Sequence, residues 1–178
     1  EDSIDETVCK NILNKWGDKI EIICNTRKKG QIKSIVETYK KIQTPYIFHC
    51  EDDWKYLRTN FIEDSLKILK TDKKIIQVWL ESKKSASRLD IFSYGEINSI
   101  DGVRYRRVYC KEGWEWGHFS FRPGVKRLID YELIGGYEGF KNELDISLKY
   151  KKLGYYTVIM EDPAVLDIGD EHHQSDPT

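Results

Sequence analysis

The chain has 178 residues, of which 39% are apolar and 33% charged, and its formal net charge is -1. This balance is typical of a folded domain with a sizeable core, and it excludes an intrinsically disordered chain. A net charge this close to zero gives no general attraction to nucleic acid or to an anionic membrane, and no stretch approaches the roughly 20 apolar residues of a membrane span.

The first half of the chain alternates between helical and strand patterns. An acid-rich start predicts a helix over residues 2–15, and the apolar run at residues 20–24 predicts a buried strand. Helical spacing of apolar residues predicts a helix over residues 31–42. The patterns that follow predict a strand over 46–50, a helix over 59–70 and a strand over 75–80. Such alternation is typical of an α/β fold with a largely parallel sheet.

The second half is less regular. Residues 82–102 are polar and have no clear pattern, and the Arg-Pro-Gly sequence at 122–124 indicates a turn. The remaining patterns predict a strand over 103–109, helices over 126–131 and 143–153, and a strand over 155–160. No repeat or linker divides the chain, so we expect residues 1–178 to form a single domain.

The four cysteines, Cys9, Cys24, Cys50 and Cys110, are widely spaced and form no CxxC pair. Cys24 and Cys50 lie inside apolar runs, where a free cysteine behaves as a small hydrophobic residue. We therefore expect neither a zinc site nor a disulfide framework, and we predict a reducing, cytoplasmic location.

Three consecutive acids, Glu51, Asp52 and Asp53, directly follow a predicted strand. In open α/β sheets, ligands bind beyond the carboxyl ends of the strands. Adjacent carboxylates repel one another, and a Mg²⁺ or Mn²⁺ ion that bridges substrate phosphates would stabilise them. The alternative interpretation is a solvated loop whose acids cap the next helix.

A basic loop lies one strand–helix unit earlier and contains Arg27, Lys28, Lys29 and Gly30. It precedes a predicted helix, and a basic glycine-containing loop at a helix N-terminus suits a phosphate group or a nucleotide. Taken alone, the loop fits a solvated run of surface charge equally well.

Residues 45–54, together with 61–62 and 76–79, resemble the family-2-type glycosyltransferases of the GT-A fold. The resemblance implies a GT-A-like, Rossmann-like sheet that is mostly parallel and flanked by helices. In that family a strand-terminal acidic motif, often Asp-x-Asp, holds a divalent metal against the nucleotide diphosphate. The pattern here is Glu51-x-Asp53, which makes Asp53 the first candidate metal ligand and Glu51 the second. Candidate contacts to the nucleotide are Arg27, Lys28, Gly30 and Asp52.

Later segments extend the resemblance. Residues 117–124 are similar to the acceptor-side segment of the family, and residues 143–148 are similar to its late acidic motif. That motif opens a helix and supplies the catalytic base in inverting members, so Glu143 and Asp145 are the candidate bases. Both also fit the ordinary preference for acids at a helix start. The resemblance further implies a late histidine that reaches back to the metal, here His173.

The start of the chain departs from the family pattern. The family begins with a strand, a helix and a second strand that build the nucleoside pocket, whereas residues 1–3 resemble the loop after that second strand. We therefore expect a catalytic domain truncated at its N-terminus.

The function expected from this resemblance is a metal-dependent transfer of a sugar to an acceptor hydroxyl. The donor would be a UDP- or GDP-linked sugar, the cofactor Mn²⁺ or Mg²⁺, and the acceptor a glycan, a lipid-linked saccharide or a protein side chain. Trp114 and Trp116 are candidates either for acceptor stacking or for core packing. Two alternatives remain, a nucleotidyltransferase of similar fold and a non-catalytic carbohydrate-binding module.

Overall fold

The computed structural model describes residues 2, 5–86, 90–115 and 118–169. Its helices are α1 (Glu6–Trp16), α2 (Gln31–Tyr39), α3 (Phe61–Thr71), α4 (Lys83–Ala86), α5 (Leu128–Leu133) and α6 (Glu143–Lys152). Its strands are β1 (Tyr46–His49), β2 (Trp54–Tyr56), β3 (Ile75–Trp79), β4 (Phe92–Tyr94), β5 (Asn98–Ile100), β6 (Val103–Cys110), β7 (Gly124–Arg127), β8 (Tyr156–Met160) and β9 (Val165–Asp167).

The main sheet has the strand order β1-β7-β3-β8-β6-β4, with β5 paired to β6, and β2 pairs with β9 in a separate ribbon. This mixture of sheet and helices confirms the predicted α/β class. The prediction of a largely parallel sheet is wrong, because β3–β8 is the single parallel pair among the described strands. Antiparallel pairing arises where β7 inserts between β1 and β3, and where β4 and β5 pair with β6.

Three apolar strands nevertheless run in the same direction. Both β1 and β3 are antiparallel to β7, so they are parallel to one another, and β8 is parallel to β3. Their carboxyl ends therefore meet along one side of the sheet, which we call the carboxyl edge.

Two large apolar clusters hold the helices against this sheet. One joins α2 and α6 to the sheet through aromatic side chains, among them Tyr39, Phe119, Tyr137 and Tyr150. Its rings meet mostly edge to face or tilted, an arrangement that adds to the stabilisation from burial. The second cluster packs α3 against β3, β7 and β8.

Two predicted elements differ from the structure. Residues 20–24 form no strand and are exposed or half-buried, so the predicted buried strand is wrong. A short apolar run alone does not determine whether a segment pairs in a sheet. Residues 126–127, predicted to be helical, belong to β7, and the helix begins at Leu128. The predicted helix at 143–153 and strands at 75–80 and 155–160 are confirmed to within one residue at either end.

A disulfide bond joins Cys9 and Cys24, so the prediction that the cysteines are unpaired is wrong for these two. They are 15 residues apart in sequence, a spacing that indicates no pairing by itself, and α1 brings them together. Cys50 and Cys110 are free. Because disulfides persist mainly in oxidising compartments, the cysteines no longer support a cytoplasmic location.

Candidate active site

Acidic residues follow each of the three strands that end at the carboxyl edge. Glu51 and Asp53 come directly after β1, Glu81 comes after β3, and Glu161 comes after β8. The chain therefore concentrates carboxylates where open α/β sheets bind their ligands.

Glu51 is half-buried, and its Oε1 atom accepts a hydrogen bond of 2.7 Å from the side-chain amide of Gln31 at the start of α2. Burial raises the pKa of the Glu51 carboxyl above its ordinary value, and the neighbouring charge of Asp53 raises it further. Asp52, in contrast, is exposed. The two flanking acids thus form an electrostatically strained pair that a cation would stabilise.

Asp53 lies against the end of the β2–β9 ribbon. Its backbone carbonyl accepts a hydrogen bond from the amide of Ile168. A Cβ atom placed on Gly169 would lie 2.6 Å from the Asp53 Oδ2 atom, so a larger residue at 169 would displace this carboxylate. His173, the third predicted metal ligand, is outside the described residues.

Glu143 opens α6, and the Asn142 side chain caps that helix by accepting from the amide of Asp145. The Glu143 Oε2 atom accepts a hydrogen bond of 3.0 Å from the backbone amide of Phe121. Burial raises the pKa of the Glu143 carboxyl to about 7, against opposing contributions from that hydrogen bond and from Arg122. A carboxyl with this pKa exchanges its proton near neutral pH, as a general base requires.

Asp145 has a different environment. Its Oδ2 atom accepts from the backbone amide of Lys141 at 3.3 Å, a contact that closes the turn before α6. A cavity of about 850 Å³ lies between the start of α2 and the segment before α6. Among the described residues, Glu143 lines this cavity and Asp145 does not.

This cavity brings together residues from distant parts of the sequence. Gly30 and Gln31 form one wall, and Glu143 lies in another. Through its hydrogen bond to Gln31, Glu51 adjoins the same space. Of the predicted site residues, Gly30 and Glu143 line this cavity, and Glu51 is hydrogen-bonded to Gln31 in its wall.

The basic loop is folded around Asp2. The Asp2 carboxylate accepts from the backbone amides of Lys29 and Gly30 at 2.8–3.1 Å and from the Asn25 side chain at 2.8 Å. The Asp2 carboxylate therefore already engages the two backbone amides that directly precede α2. Arg27 and Lys28 are exposed and do not line the cavity as the described residues define it.

Glu51 and Asp53 meet only part of the requirements of a divalent-metal site. Within the described ranges, no group of three or more His, Cys, Asp or Glu side chains is arranged to hold a metal ion. Glu51 and Asp53 are a pair whose charges repel, and Mg²⁺ is often held in this way, by one or two carboxylates with substrate phosphates completing its coordination.

Three residues near this site, Glu81, Arg122 and Lys126, were not predicted as site residues. Glu81 is almost fully buried and forms an ion pair with Arg122, whose guanidinium lies 5.3 Å from the centre of the Trp79 ring. Glu81 follows the carboxyl end of a strand, as Glu51 does, so the same sequence pattern identifies both acids as candidate site residues. Lys126 is 1% exposed, and no sequence signal identified it because its segment was predicted to be a helix.

Trp114 is 57% exposed, which excludes the core-packing role for this residue. Trp116 is outside the described residues. The structure thus leaves acceptor stacking by Trp114 as a prediction.

Comparison of the chain with models of protein families, with curated proteins and with solved structures finds no match. No helix in the described part of the chain combines the length and apolar character of a membrane span.

Proposed function

We propose that this protein is a metal-dependent glycosyltransferase that moves a sugar from a nucleotide diphosphate donor, UDP- or GDP-linked, to an acceptor hydroxyl. Glu143 carries this proposal, because it is a carboxyl with a pKa near neutrality that lines a cavity, and Gln31 in the wall of that cavity is hydrogen-bonded to Glu51. The acceptor would be a glycan, a lipid-linked saccharide or a protein side chain.

The roles of the residues follow from their positions. Glu143 removes the proton from the attacking acceptor hydroxyl as that oxygen approaches the sugar. The Phe121 amide orients the Glu143 carboxylate through its 3.0 Å hydrogen bond. Direct attack assisted by a single base inverts the anomeric configuration of the transferred sugar.

Asp53 and Glu51 would hold Mn²⁺ or Mg²⁺, with His173 as a further proposed ligand. When bound, such an ion neutralises the charge that develops on the departing diphosphate. Gln31 would fix the position of the Glu51 carboxylate through its 2.7 Å hydrogen bond. Gly30, with its positive φ of 85°, lets the chain turn into α2 beside this acid.

We also propose that the sheet has the GT-A-like arrangement. The common direction of β1, β3 and β8, with antiparallel β7 between β1 and β3, supports a GT-A-like arrangement. The carboxyl ends of these strands then form the floor of the donor site.

A matched pair of substitutions on α6 tests the proposal. Transfer from a panel of UDP- and GDP-sugars would be measured with Mn²⁺ for the wild type, Glu143→Gln and Asp145→Asn. We expect Glu143→Gln to lower kcat by at least ~100-fold, because the base is removed, and Asp145→Asn to lower it less than about tenfold.

Circular dichroism of both variants would confirm that α6 still forms. Equal activity of the two variants would contradict the role of Glu143. Release of pyrophosphate from a nucleoside triphosphate and a sugar phosphate would indicate the nucleotidyltransferase alternative. Sugar binding that survives chelation of the metal, without turnover, would indicate a carbohydrate-binding module.

A further inference from the structure

Gln77 is a fully buried polar residue in an otherwise apolar strand. It lies at the centre of β3, between Ile76 and Val78, and it is 0% exposed. A buried side-chain amide is unfavourable unless both its carbonyl and its NH₂ group have hydrogen-bond partners. An apolar side chain would satisfy packing at this position, so the presence of an amide directs attention to the hydrogen bonds that it forms.

The partners of Gln77 lie in the segment that leads into β7. Its Oε1 atom accepts a hydrogen bond of 3.2 Å from the Ser120 amide, and its Nε2 atom donates to the Arg122 carbonyl at 2.9 Å. Residues 118–123 belong to no helix or strand, so a ladder of strand hydrogen bonds does not fix them. The Gln77 side chain, which has the donor and the acceptor of a peptide group, fixes this segment instead.

Gly124 makes room for this arrangement. A Cβ atom at position 124 would lie 2.7 Å from the Gln77 Nε2 atom and 2.7 Å from the Val78 carbonyl oxygen. The Gln77 amide therefore lies directly against the backbone where β7 begins, and a side chain at 124 would displace it.

Phe121 is the residue between the two that Gln77 holds. Its backbone amide donates to the Glu143 Oε2 atom at 3.0 Å, so the carboxylate is attached to a segment that one side chain fixes on both sides. Arg122 has a second attachment, because its guanidinium pairs with Glu81 directly after β3. A continuous set of hydrogen bonds thus connects β3 to the candidate base.

Several groups act on the Glu143 carboxyl. Burial raises its pKa to about 7, the Phe121 amide, Arg122 and Lys126 oppose burial, and Glu51 adds to it. A hydrogen bond to the charged form favours that form, so a donor that is held in position favours the carboxylate that a base requires. The position of this donor depends on the segment that Gln77 fixes.

We propose that Gln77 is a positioning residue of the candidate active site, whose buried amide holds residues 120–122 so that Phe121 keeps the Glu143 carboxylate in place. The importance of this connection for sugar transfer rests on the proposed function. The hydrogen-bonded connection itself does not depend on which reaction the protein performs.

The test is an NMR titration that needs no substrate. The Phe121 amide proton and the Glu143 side-chain ¹³C signal would be followed from about pH 4 to pH 9 in the wild type and in Gln77→Met, and Glu143→Gln would identify the signals that depend on this carboxyl. Methionine has about the length of glutamine but forms neither hydrogen bond. In the wild type the Phe121 shift should follow the ionisation of Glu143. In Gln77→Met this response should be lost, and the pKa of Glu143 should rise.

Thr157→Val is the matched control. Thr157 is 0% exposed, lies in register with Gln77 on the adjacent strand β8, and has a hydroxyl without a hydrogen-bond partner among the described residues. The control removes a buried polar group from the same part of the sheet, and we expect the Phe121 shift to follow Glu143 as in the wild type. A Phe121 response that persists in Gln77→Met with an unchanged Glu143 pKa would overturn the proposal. Loss of the response in both variants would assign it to general loosening of the core and would also overturn the proposal.

A measurement on the wild type covers the case in which Gln77→Met does not fold. Hydrogen exchange of the Gln77 side-chain amide and of the Phe121 backbone amide would be compared with that of the exposed Gln43 side chain. Protection of both groups supports the connection. Exchange of the Gln77 side chain at the rate of Gln43 would refute it.

Kinetic measurements separate this inference from the proposed function. If sugar transfer is detected, Gln77→Met should lower kcat about tenfold and change KM less than about twofold, because the base is displaced while substrate contacts remain. Equal kcat values in Gln77→Met and the wild type would refute the positioning role and leave the proposed function standing. If the NMR connection is found but no transfer is detected with any donor, the proposed function fails and the positioning of Glu143 by Gln77 stands.

Discussion

Glu161 and Glu51 both follow strands of the same direction at the carboxyl edge, yet their carboxylates have different partners. Glu161 accepts from the Lys83 ammonium at 2.8 Å and from the Arg106 Nε atom at 2.7 Å, and these contacts lower its pKa. Glu51 accepts from the neutral side chain of Gln31, and burial and the charge of Asp53 raise its pKa.

The difference separates a structural acid from a candidate functional one. The chain supplies Glu161 with two cations, so its charge is balanced without a ligand. Glu51 instead has a neutral hydrogen-bond donor, Gln31, and its pKa is raised by burial and by the charge of Asp53. Perturbed carboxyls beside a cavity are typical of functional sites, whereas paired surface acids are typical of ordinary folded structure.

The largest expected effect is on the pH dependence of the proposed sugar transfer, in which Glu143 is the proposed base. Because Glu143 must be ionised to act as a base, and burial raises its pKa to about 7, the rate should rise with pH and level off above that value. Below pH 7 we expect kcat to fall about tenfold per pH unit.

Glu161→Gln should leave this profile unchanged, since that carboxylate is ionised throughout the range. The measurement is kcat against pH for the wild type and this variant. A wild-type profile that is flat between about pH 5 and pH 7 would show that Glu143 is not the titrating base.

A smaller effect is expected on stability, with opposite signs for the two glutamates. At pH 7, Glu161→Gln should lower the free energy of unfolding by about 1 kcal/mol, because Lys83 and Arg106 lose their anion. Glu51→Gln should raise it by about 0.5 kcal/mol, because the repulsion from Asp53 is removed and Gln31 keeps an acceptor.

Urea unfolding of the wild type, Glu161→Gln and Glu51→Gln would show whether each substitution lowers or raises the free energy of unfolding. The deficit of Glu161→Gln should vanish as pH falls well below 4.5, the ordinary pKa of a glutamate, since the wild-type carboxylate is then protonated as well. Destabilisation by both substitutions would show that the two acids have the same structural role.

Much of the fold follows from local patterns in the sequence. Helix α3 follows from its amphipathic pattern, and helix α6 follows from the acids at its start and Gly154 after its end. The strands β1, β3 and β8 follow from short apolar runs. Strand direction was not predictable in the same way. The insertion of β7 between β1 and β3 depends on contacts between residues about 50 to 80 positions apart, which no local pattern contains.

The candidate site was predictable where a strand ends in an acid. Glu51 and Asp53 followed from that rule, and Glu143 followed from a helix start together with the family resemblance. Glu81 also follows a strand, but a single acid has no neighbouring carboxylate whose repulsion would indicate a cation site. Lys126 was not predictable, because its burial depends on three rings contributed by α2 and by the segment before β7.

The most direct test of the account is calorimetric titration of the protein with UDP and with GDP, in the presence and absence of Mn²⁺. It would be made on the wild type, on Asp53→Asn and on Glu161→Gln. We predict binding of one of the two nucleotides that requires Mn²⁺, is lost in Asp53→Asn and persists in Glu161→Gln. Nucleotide binding that is independent of metal, or that survives Asp53→Asn, would contradict a metal-dependent diphosphate site at the carboxyl edge.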